Sequence, residues 1–171
     1  MTTVPPRRLV VLRHAKSAWP AVPDHRRPLA ARGRRDAPAV GRALRDGGYL
    51  PDRVLCSTAE RTRQTWDLVA GELGAAPPVE WDDRIYDASV DGLLAVLRDV
   101  PDGVGTVLLV GHNPGAQELT LALAGDAESD TARRVWEKFP TSAFAVLSLS
   151  GNWSDLAPGV GELVEFAVPR G

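Results

Sequence analysis

The chain has 171 residues, 44% of them hydrophobic and 25% charged, and its formal net charge at pH 7 is −2. This length and composition favour one soluble globular domain with a sizeable core. The net charge argues against general nucleic-acid binding, which needs an excess of positive charge along the phosphate backbone. The single cysteine, Cys56, excludes an internal disulfide bond, and no apolar run approaches the ~20 residues that span a bilayer.

The amino-terminal segment shows no targeting signal. Met1–Arg8 contains two prolines and lacks the apolar stretch of a secretory signal peptide. We therefore expect a cytoplasmic protein with no membrane contact. Residues 1–7 are expected to form a flexible extension within a single domain that takes up residues 1–171. A monomer is the default expectation for so compact a chain.

The first predicted unit is a buried strand followed by a helix. Leu9–Arg13 is a short, continuous apolar run, as expected of a strand that is covered on both faces. The polar loop Ala15–Arg32 is long for a compact domain, and loops of this length are usually functional or disordered. Apolar residues at helical spacing then predict a helix from Gly33 to Arg45.

The same order of strand and helix recurs twice. Strand Arg53–Ser57 precedes helix Ala59–Leu73, for which Ser57 or Thr58 is the expected N-cap. The other predicted elements are strand Thr106–Gly111 with helix Pro114–Ala124, a short strand at Val79–Trp81, helices at Asp91–Val100 and Ser129–Lys138, and strands Ala143–Leu149 and Leu163–Val168. Repeated strand–helix units predict an α/β fold, a three-layer α/β/α sandwich with a mainly parallel central sheet. We expect the last two strands to pair at a sheet edge.

Cationic and imidazole side chains follow three of these strands. Arg13 and His14 end the first, Arg61 lies one turn into the helix after the second, and His112 ends the third. Because ligands bind at the carboxyl ends of strands in open α/β sheets, we expect these four side chains to share one pocket. Each motif alone has a structural explanation. Together they predict a phosphate site.

Arginine and histidine at these positions suit phosphoryl transfer. The planar guanidinium matches phosphate oxygens and keeps its charge, and the amino end of a helix adds to anion binding at Arg61. A histidine that attacks phosphorus must be unprotonated, and neighbouring arginines disfavour the imidazolium form of His14. No cluster of carboxylates and histidines suited to a metal is evident, so we expect neither a metal nor a cofactor.

These motifs resemble those of the histidine phosphatase, or phosphoglycerate mutase-like, superfamily. Arg13–Ser17 is similar to its first motif, Ser57–Thr65 to its second and Gly111–Pro114 to its third. The compact length, with Arg27–Leu29 and Lys138–Thr141, resembles the short SixA-like phosphohistidine phosphatases. The resemblance covers nearly the whole chain, and the abundance of Ala, Arg, Gly and Pro fits a bacterial source.

The resemblance implies a metal-independent phosphatase that acts through a phosphohistidine intermediate. It assigns His14 as the nucleophile that accepts the phosphoryl group. Arg13, Arg61 and His112 would complete the phosphate pocket, with His112 donating to a phosphoryl oxygen. Ser17, the serine of the first motif, is expected at the pocket rim as a further phosphate-binding residue.

One feature of the larger superfamily members has no clear counterpart here. They carry an acidic residue between the second and third motifs that protonates the leaving group. Asp87 is the candidate general acid in this chain, with a solvated or helix-capping role as the alternative. A weak or absent acid favours an imidazole leaving group, whose conjugate acid has a pKa of about 6.5, over an alkoxide. The expected substrate is therefore protein phosphohistidine, for example on a histidine-containing phosphotransfer domain.

Other interpretations stay open. One is a broad-specificity phosphomonoesterase that acts on a small phosphorylated substrate such as a sugar phosphate or nucleotide. Another is a module that binds phosphorylated partners without turnover, although a pure binder could dispense with the pair His14 and His112. In the long loop, Trp19 is expected as a pocket wall or a loop anchor, and His25 and Arg27 as substrate contacts or solvated residues.

Overall fold

A computed structural model describes residues 5–171, so residues 1–4 of the expected extension lie outside the described range. The strands are β1 (Arg7–Arg13), β2 (Arg53–Cys56), β3 (Val79–Trp81), β4 (Thr106–Gly111), β5 (Phe144–Leu149) and β6 (Gly161–Ala167). The α-helices are α1 (Ala31–Asp46), α2 (Glu60–Leu73), α3 (Val90–Arg98), α4 (Gly115–Leu123) and α5 (Asp130–Glu137). Arg7 belongs to β1, so the predicted extension is wrong at this residue. Within the described range, no helix is long and apolar enough to span a membrane.

The six strands form one sheet in the order β3-β2-β4-β1-β5-β6. Strands β3, β2, β4 and β1 run parallel to one another, and β5 and β6 are antiparallel to their neighbours. The predicted α/β fold with a mainly parallel sheet is confirmed. The last two strands pair as expected, but β5 lies inside the sheet against β1, and only β6 forms the edge.

The apolar run of β1 supplies both faces of the sheet. Leu9 and Val11 pack in a core with side chains of α3, α4 and α5, while Val10 and Leu12 pack in a second core with α1 and α2. Successive side chains of a strand point to opposite faces, so a strand between two helical layers must be apolar throughout. This explains the uninterrupted run and confirms the three layers.

Strands β1 and β4 are neighbours, but the chain that follows each of them runs toward an opposite edge of the sheet. β1 leads through α1 to β2, on the β3 side of the sheet, whereas β4 leads through α4 and α5 to β5, on the β6 side. Helices α1 and α4 also pack on opposite faces. Such a reversal opens a crevice beyond the carboxyl ends of the two strands, where ligands bind in α/β sheets.

The long loop over residues 14–30 is ordered. It contains a short 3₁₀ turn at Asp24–Arg26, and Ser17 pairs with Leu29 in an isolated β-bridge. Helix α1 then begins at Ala31, two residues before the predicted start, and Gly33 in its first turn packs on the loop. The loop is therefore fixed against the carboxyl edge of the sheet.

Replacing Gly33 with alanine should destabilise the fold. A Cβ atom there would lie 2.2 Å from the backbone oxygen of Lys16, and that backbone cannot move without disturbing the loop. We expect Gly33→Ala to lower the free energy of unfolding by about 1–3 kcal/mol. Gly71 in α2 is the matched control, because a Cβ there meets nothing within 4 Å. Gly71→Ala should raise stability by about 0.5–1 kcal/mol. Urea denaturation measures both, and a stable Gly33→Ala protein would contradict the close contact.

Candidate active site

The crevice brings together the two histidines that end neighbouring strands. Arg13 pairs with Gly111 in the parallel ladder, and the backbone N–H of His14 donates to the Gly111 oxygen at 3.0 Å. His14 and His112 are therefore adjacent, and their ring centroids lie 5.4 Å apart. The register of β1 and β4 thus produces the juxtaposition that the strand ends predicted.

The hydrogen bonding of His14 leaves one ring nitrogen free to react. His14 is buried, and its Nδ1 lies 2.7 Å from the backbone oxygen of Ala15. A carbonyl oxygen can only accept, so Nδ1 carries the proton and donates it. Nε2 then holds an unshared electron pair. This is the tautomer that a nucleophilic histidine requires.

Both imidazoles of the pair are held in the neutral form. Burial is the main cause that lowers the pKa of His14 to about 3; the hydrogen bond to the Ala15 oxygen opposes it, and the charges of His112, Arg61 and Arg13 add to it. Burial also lowers the pKa of His112 to about 4, with Arg61 as the next cause. The direction agrees with the sequence argument, but its largest cause is desolvation, which the sequence argument did not include.

Two guanidinium groups lie at the same edge of the sheet, that of Arg61 buried and that of Arg13 half-buried. Arg13 donates from Nη1 to the backbone oxygen of Phe139 at 2.9 Å. Arg61, in the first turn of α2, is only 6% exposed. Within residues 5–171, the buried Nε atoms of Arg13 and Arg61 have no hydrogen-bond partner. Residues 5–171 contain no group of three or more His, Cys, Asp or Glu side chains that could hold a metal.

Asp24 is a site residue that the sequence analysis missed. Both terminal nitrogens of Arg61 bind it, Nη1 to its backbone oxygen at 2.8 Å and Nη2 to its Oδ2 at 3.1 Å. Tyr86 donates its hydroxyl to the same Oδ2, and Arg27 donates to Oδ1 at 2.8 Å. The hydrogen bonds from Tyr86 and Arg27 hold the pKa of the Asp24 carboxyl well below its usual range. Asp24 therefore stays ionised.

Ser57 and Tyr86 orient His112. The Ser57 hydroxyl, fully buried, lies 2.7 Å from His112 Nε2, and the Tyr86 ring packs edge-on against the His112 ring with centroids 5.5 Å apart. The prediction that Ser57 or Thr58 caps α2 is wrong. Ala59 is the N-cap, with no side-chain hydrogen bond, and the Thr58 hydroxyl donates to Asp83.

Ser17 bonds to Arg27, which together with Arg13 and Arg61 is called the arginine clamp below. Its hydroxyl accepts from Arg27 Nη2 at 2.5 Å, and both side chains are buried. The Arg27 guanidinium also stacks on Trp19, 3.3 Å from the ring centroid, and the Trp19 side chain is otherwise exposed. Arg27 is thus not a solvated loop residue, and Trp19 is anchored to it and not to the core.

Asp87 lines a cavity of about 220 Å³ together with His112, and Leu93 and Leu109 line it as well. Asp87 is exposed and has a left-handed backbone with φ of 54°. No hydrogen bond joins it to His14 or His112 among the described residues, and its role as general acid stays a prediction.

Comparisons with known proteins agree with this geometry. Residues 9–93 match the family model described as histidine phosphatase superfamily (branch 1). The chain is 44% identical over 162 residues to an uncharacterized protein of Mycobacterium tuberculosis, covering 93% of this chain and 100% of that protein. It is 38% identical to a solved structure from Nakamurella multipartitia assigned as a phosphohistidine phosphatase SixA, with a TM-score of 0.84 and coverage of 95% and 96%. A protein histidine phosphatase SixA complexed with tungstate is 26% identical, with a TM-score of 0.78 and coverage of 95% and 97%.

The chain belongs to the histidine phosphatase superfamily, as its three motifs predicted. It is a phosphatase, and the solved structures that it resembles at high coverage include SixA proteins. The strand ends that supply Arg13, His14 and His112 therefore form the candidate active site.

The depressed histidine pKa values predict lower stability in mild acid. His14 and His112 take up protons near pH 6.5 when the chain unfolds, but only near pH 3 to 4 when it is folded. The unfolded state therefore binds more protons in this window, and stability falls as the pH decreases. Between pH 7 and pH 5 we expect each histidine to remove about 2 kcal/mol from the free energy of unfolding. His14→Asn should reduce this loss by about half in urea titrations at the two pH values, and equal stability of the native protein at both would contradict it.

Proposed function

We propose that this phosphatase hydrolyses protein phosphohistidine through a phosphorylated His14. The observation that carries the proposal is the pairing of an unprotonated His14 Nε2 with buried guanidinium donors at the carboxyl edge of the sheet. A buried donor without a partner is costly, and a phosphoryl oxygen would satisfy it. Arg13 and Arg61 therefore suit a bound phosphoryl group better than a purely structural role.

The proposed reaction has two steps. His14 Nε2 attacks phosphorus and forms an N–P bond, while the bond between phosphorus and the leaving group breaks and its electron pair goes to that group. Arg13, Arg61 and His112 stabilise the charge on the equatorial oxygens. Water then attacks the phosphorylated His14, inorganic phosphate forms, and the imidazole regains its electron pair.

The leaving group distinguishes phosphohistidine from phosphate esters. An alkoxide needs a proton as it departs, whereas imidazole departs readily because its conjugate acid has a pKa of about 6.5. His14 and His112 are neutral at pH 7, and Asp24 is an ionised carboxylate, so none of the three supplies a proton at that pH. This supports a phosphorylated imidazole on a partner protein, such as a cytoplasmic phosphotransfer domain. We propose that the phosphatase acts on it as a monomer in the cytoplasm.

A phosphorylated intermediate on His14 is the first test. Rapid quenching with a ³²P-labelled substrate should give protein-bound label that is stable to alkali and lost in acid, as expected of phosphohistidine. His14→Asn should abolish the label and lower kcat by about 10³-fold or more. His25→Asn is the matched control, because the chain has three histidines and His25 lies at the rim, and it should retain the label. Turnover that persists in His14→Asn would exclude the mechanism.

Substrate preference is the second test. We expect kcat/KM for a phosphorylated histidine-containing carrier protein to exceed that for sugar phosphates and nucleotides by about tenfold or more, because the esters lack a ready leaving group. Initial phosphate release from a panel of both classes at pH 7 measures the ratio. Equal or faster turnover of the small esters would favour the broad-specificity phosphomonoesterase instead.

A further inference from the structure

A carboxylate of the chain lies on the arginine clamp, at the mouth of the pocket. Asp24 Oδ2 accepts from Arg61 Nη2 at 3.1 Å and from the Tyr86 hydroxyl, and Oδ1 accepts from Arg27 Nη1 at 2.8 Å. The arginine side chains are 7% and 8% exposed, but the Asp24 side chain is 50% exposed. One part of the carboxylate is therefore bound to the clamp, and the rest is open to an incoming molecule.

The charges of the clamp balance when one phosphoryl group is bound. Arg13, Arg27 and Arg61 supply three positive charges, and His14 and His112 are neutral. Asp24 contributes one negative charge and a phosphoryl dianion two. No positive charge of the clamp then remains for a second anionic group on the substrate. An anion beyond the phosphoryl group would instead approach the open side of the Asp24 carboxylate.

Asp24 is connected to His112 through Tyr86, which donates its hydroxyl to the Asp24 carboxylate. Its partner Tyr86 packs edge-on against His112 on one side and His25 on the other, with centroids 5.5 Å and 5.0 Å away. In-line attack by His14 sends the leaving group away from the floor formed by β1 and β4. The Asp24 carboxylate is half-exposed and bound to Arg61 and Arg27, so it places a fixed negative charge on the open side of the clamp, where a departing group would pass.

We propose that Asp24 is a specificity-determining residue that selects substrates by the charge of the leaving group. The inference rests on the phosphatase mechanism proposed for His14. A phosphorylated imidazole that carries a proton on its second ring nitrogen can donate that N–H to the Asp24 carboxylate. When the N–P bond breaks, the electron pair goes to the nitrogen that bore phosphorus, and neutral imidazole leaves with the proton still on the other nitrogen. A leaving group that carries a carboxylate or a further phosphate is repelled.

Three aryl phosphates of one shape test this selection. 4-(Aminomethyl)phenyl, 4-(hydroxymethyl)phenyl and 4-carboxyphenyl phosphate present a cationic, a neutral and an anionic leaving group. In the native protein kcat/KM should fall in that order, by about tenfold or more from the first to the last. Asp24→Asn keeps a similar shape and removes the charge, so it should bring the three values within about threefold of one another. The corresponding loss should fall on the cationic ester and the gain on the anionic one.

Asp83→Asn is the matched control. Asp83 is an exposed carboxylate near the same edge that accepts from Thr58 and has no bond to Arg27 or Arg61. This variant should leave the ratio of cationic to anionic ester unchanged. An equal loss of kcat/KM on all three esters in Asp24→Asn would overturn the proposal, because it would show that Asp24 only positions Arg61. Equal kcat/KM values for the three esters in the native protein would overturn it as well. Failure to hydrolyse phosphohistidine with the ester order intact would instead reject the proposed substrate alone.

Discussion

A buried guanidinium must have acceptors, and the pocket is organised around this requirement at Arg61. Its charge lies almost out of water at the start of α2, where an uncompensated cation would cost several kcal/mol. Asp24 satisfies both terminal nitrogens, one through its backbone oxygen and one through its carboxylate. That carboxylate also holds Arg27, which in turn holds Ser17. The contacts of Asp24 with the buried Arg61 of α2 therefore help to fix the long loop after β1.

The sequence predicted the parts of the site that depend on backbone order, because strand and helix patterns are local. A continuous apolar run followed by a charged pair placed Arg13 and His14 at a strand end, and the parallel arrangement brought His112 beside them. Asp24 and Tyr86 could not be predicted in this way. Asp24 contacts Arg61 across 37 positions of sequence and Tyr86 across 62, and neither Asp24 nor Tyr86 lies in a periodic segment. The length of the loop and the Arg27–Leu29 element were the signals that this part of the chain has a specific role.

The wrong N-cap shows how a local rule fails at a functional site. Serine before a helix ordinarily satisfies the first backbone N–H groups. Here the Ser57 hydroxyl lies on His112 Nε2, and its contact with the Ala59 N–H is long at 3.4 Å. The hydrogen bond that fixes the His112 imidazole is therefore formed in place of a helix cap, which would contribute about 1 kcal/mol. Departures of this kind, in which a side chain leaves its local partner, mark the residues that a site uses.

The burial that keeps His14 unprotonated also limits the chemistry that the pocket can perform. Desolvation keeps both imidazoles neutral, so neither is an effective acid at pH 7. The Tyr86 hydroxyl donates to Asp24, and this hydrogen bond, together with desolvation, raises the pKa of the tyrosine and makes it a still weaker acid. A neutral nucleophile and a strong proton donor are thus difficult to combine in one buried, cationic pocket. An exposed carboxyl such as Asp87 would have to approach from outside the pocket to supply the proton. A substrate whose leaving group already carries its proton removes the conflict, which is why the phosphorylated imidazole that we propose as substrate suits this pocket.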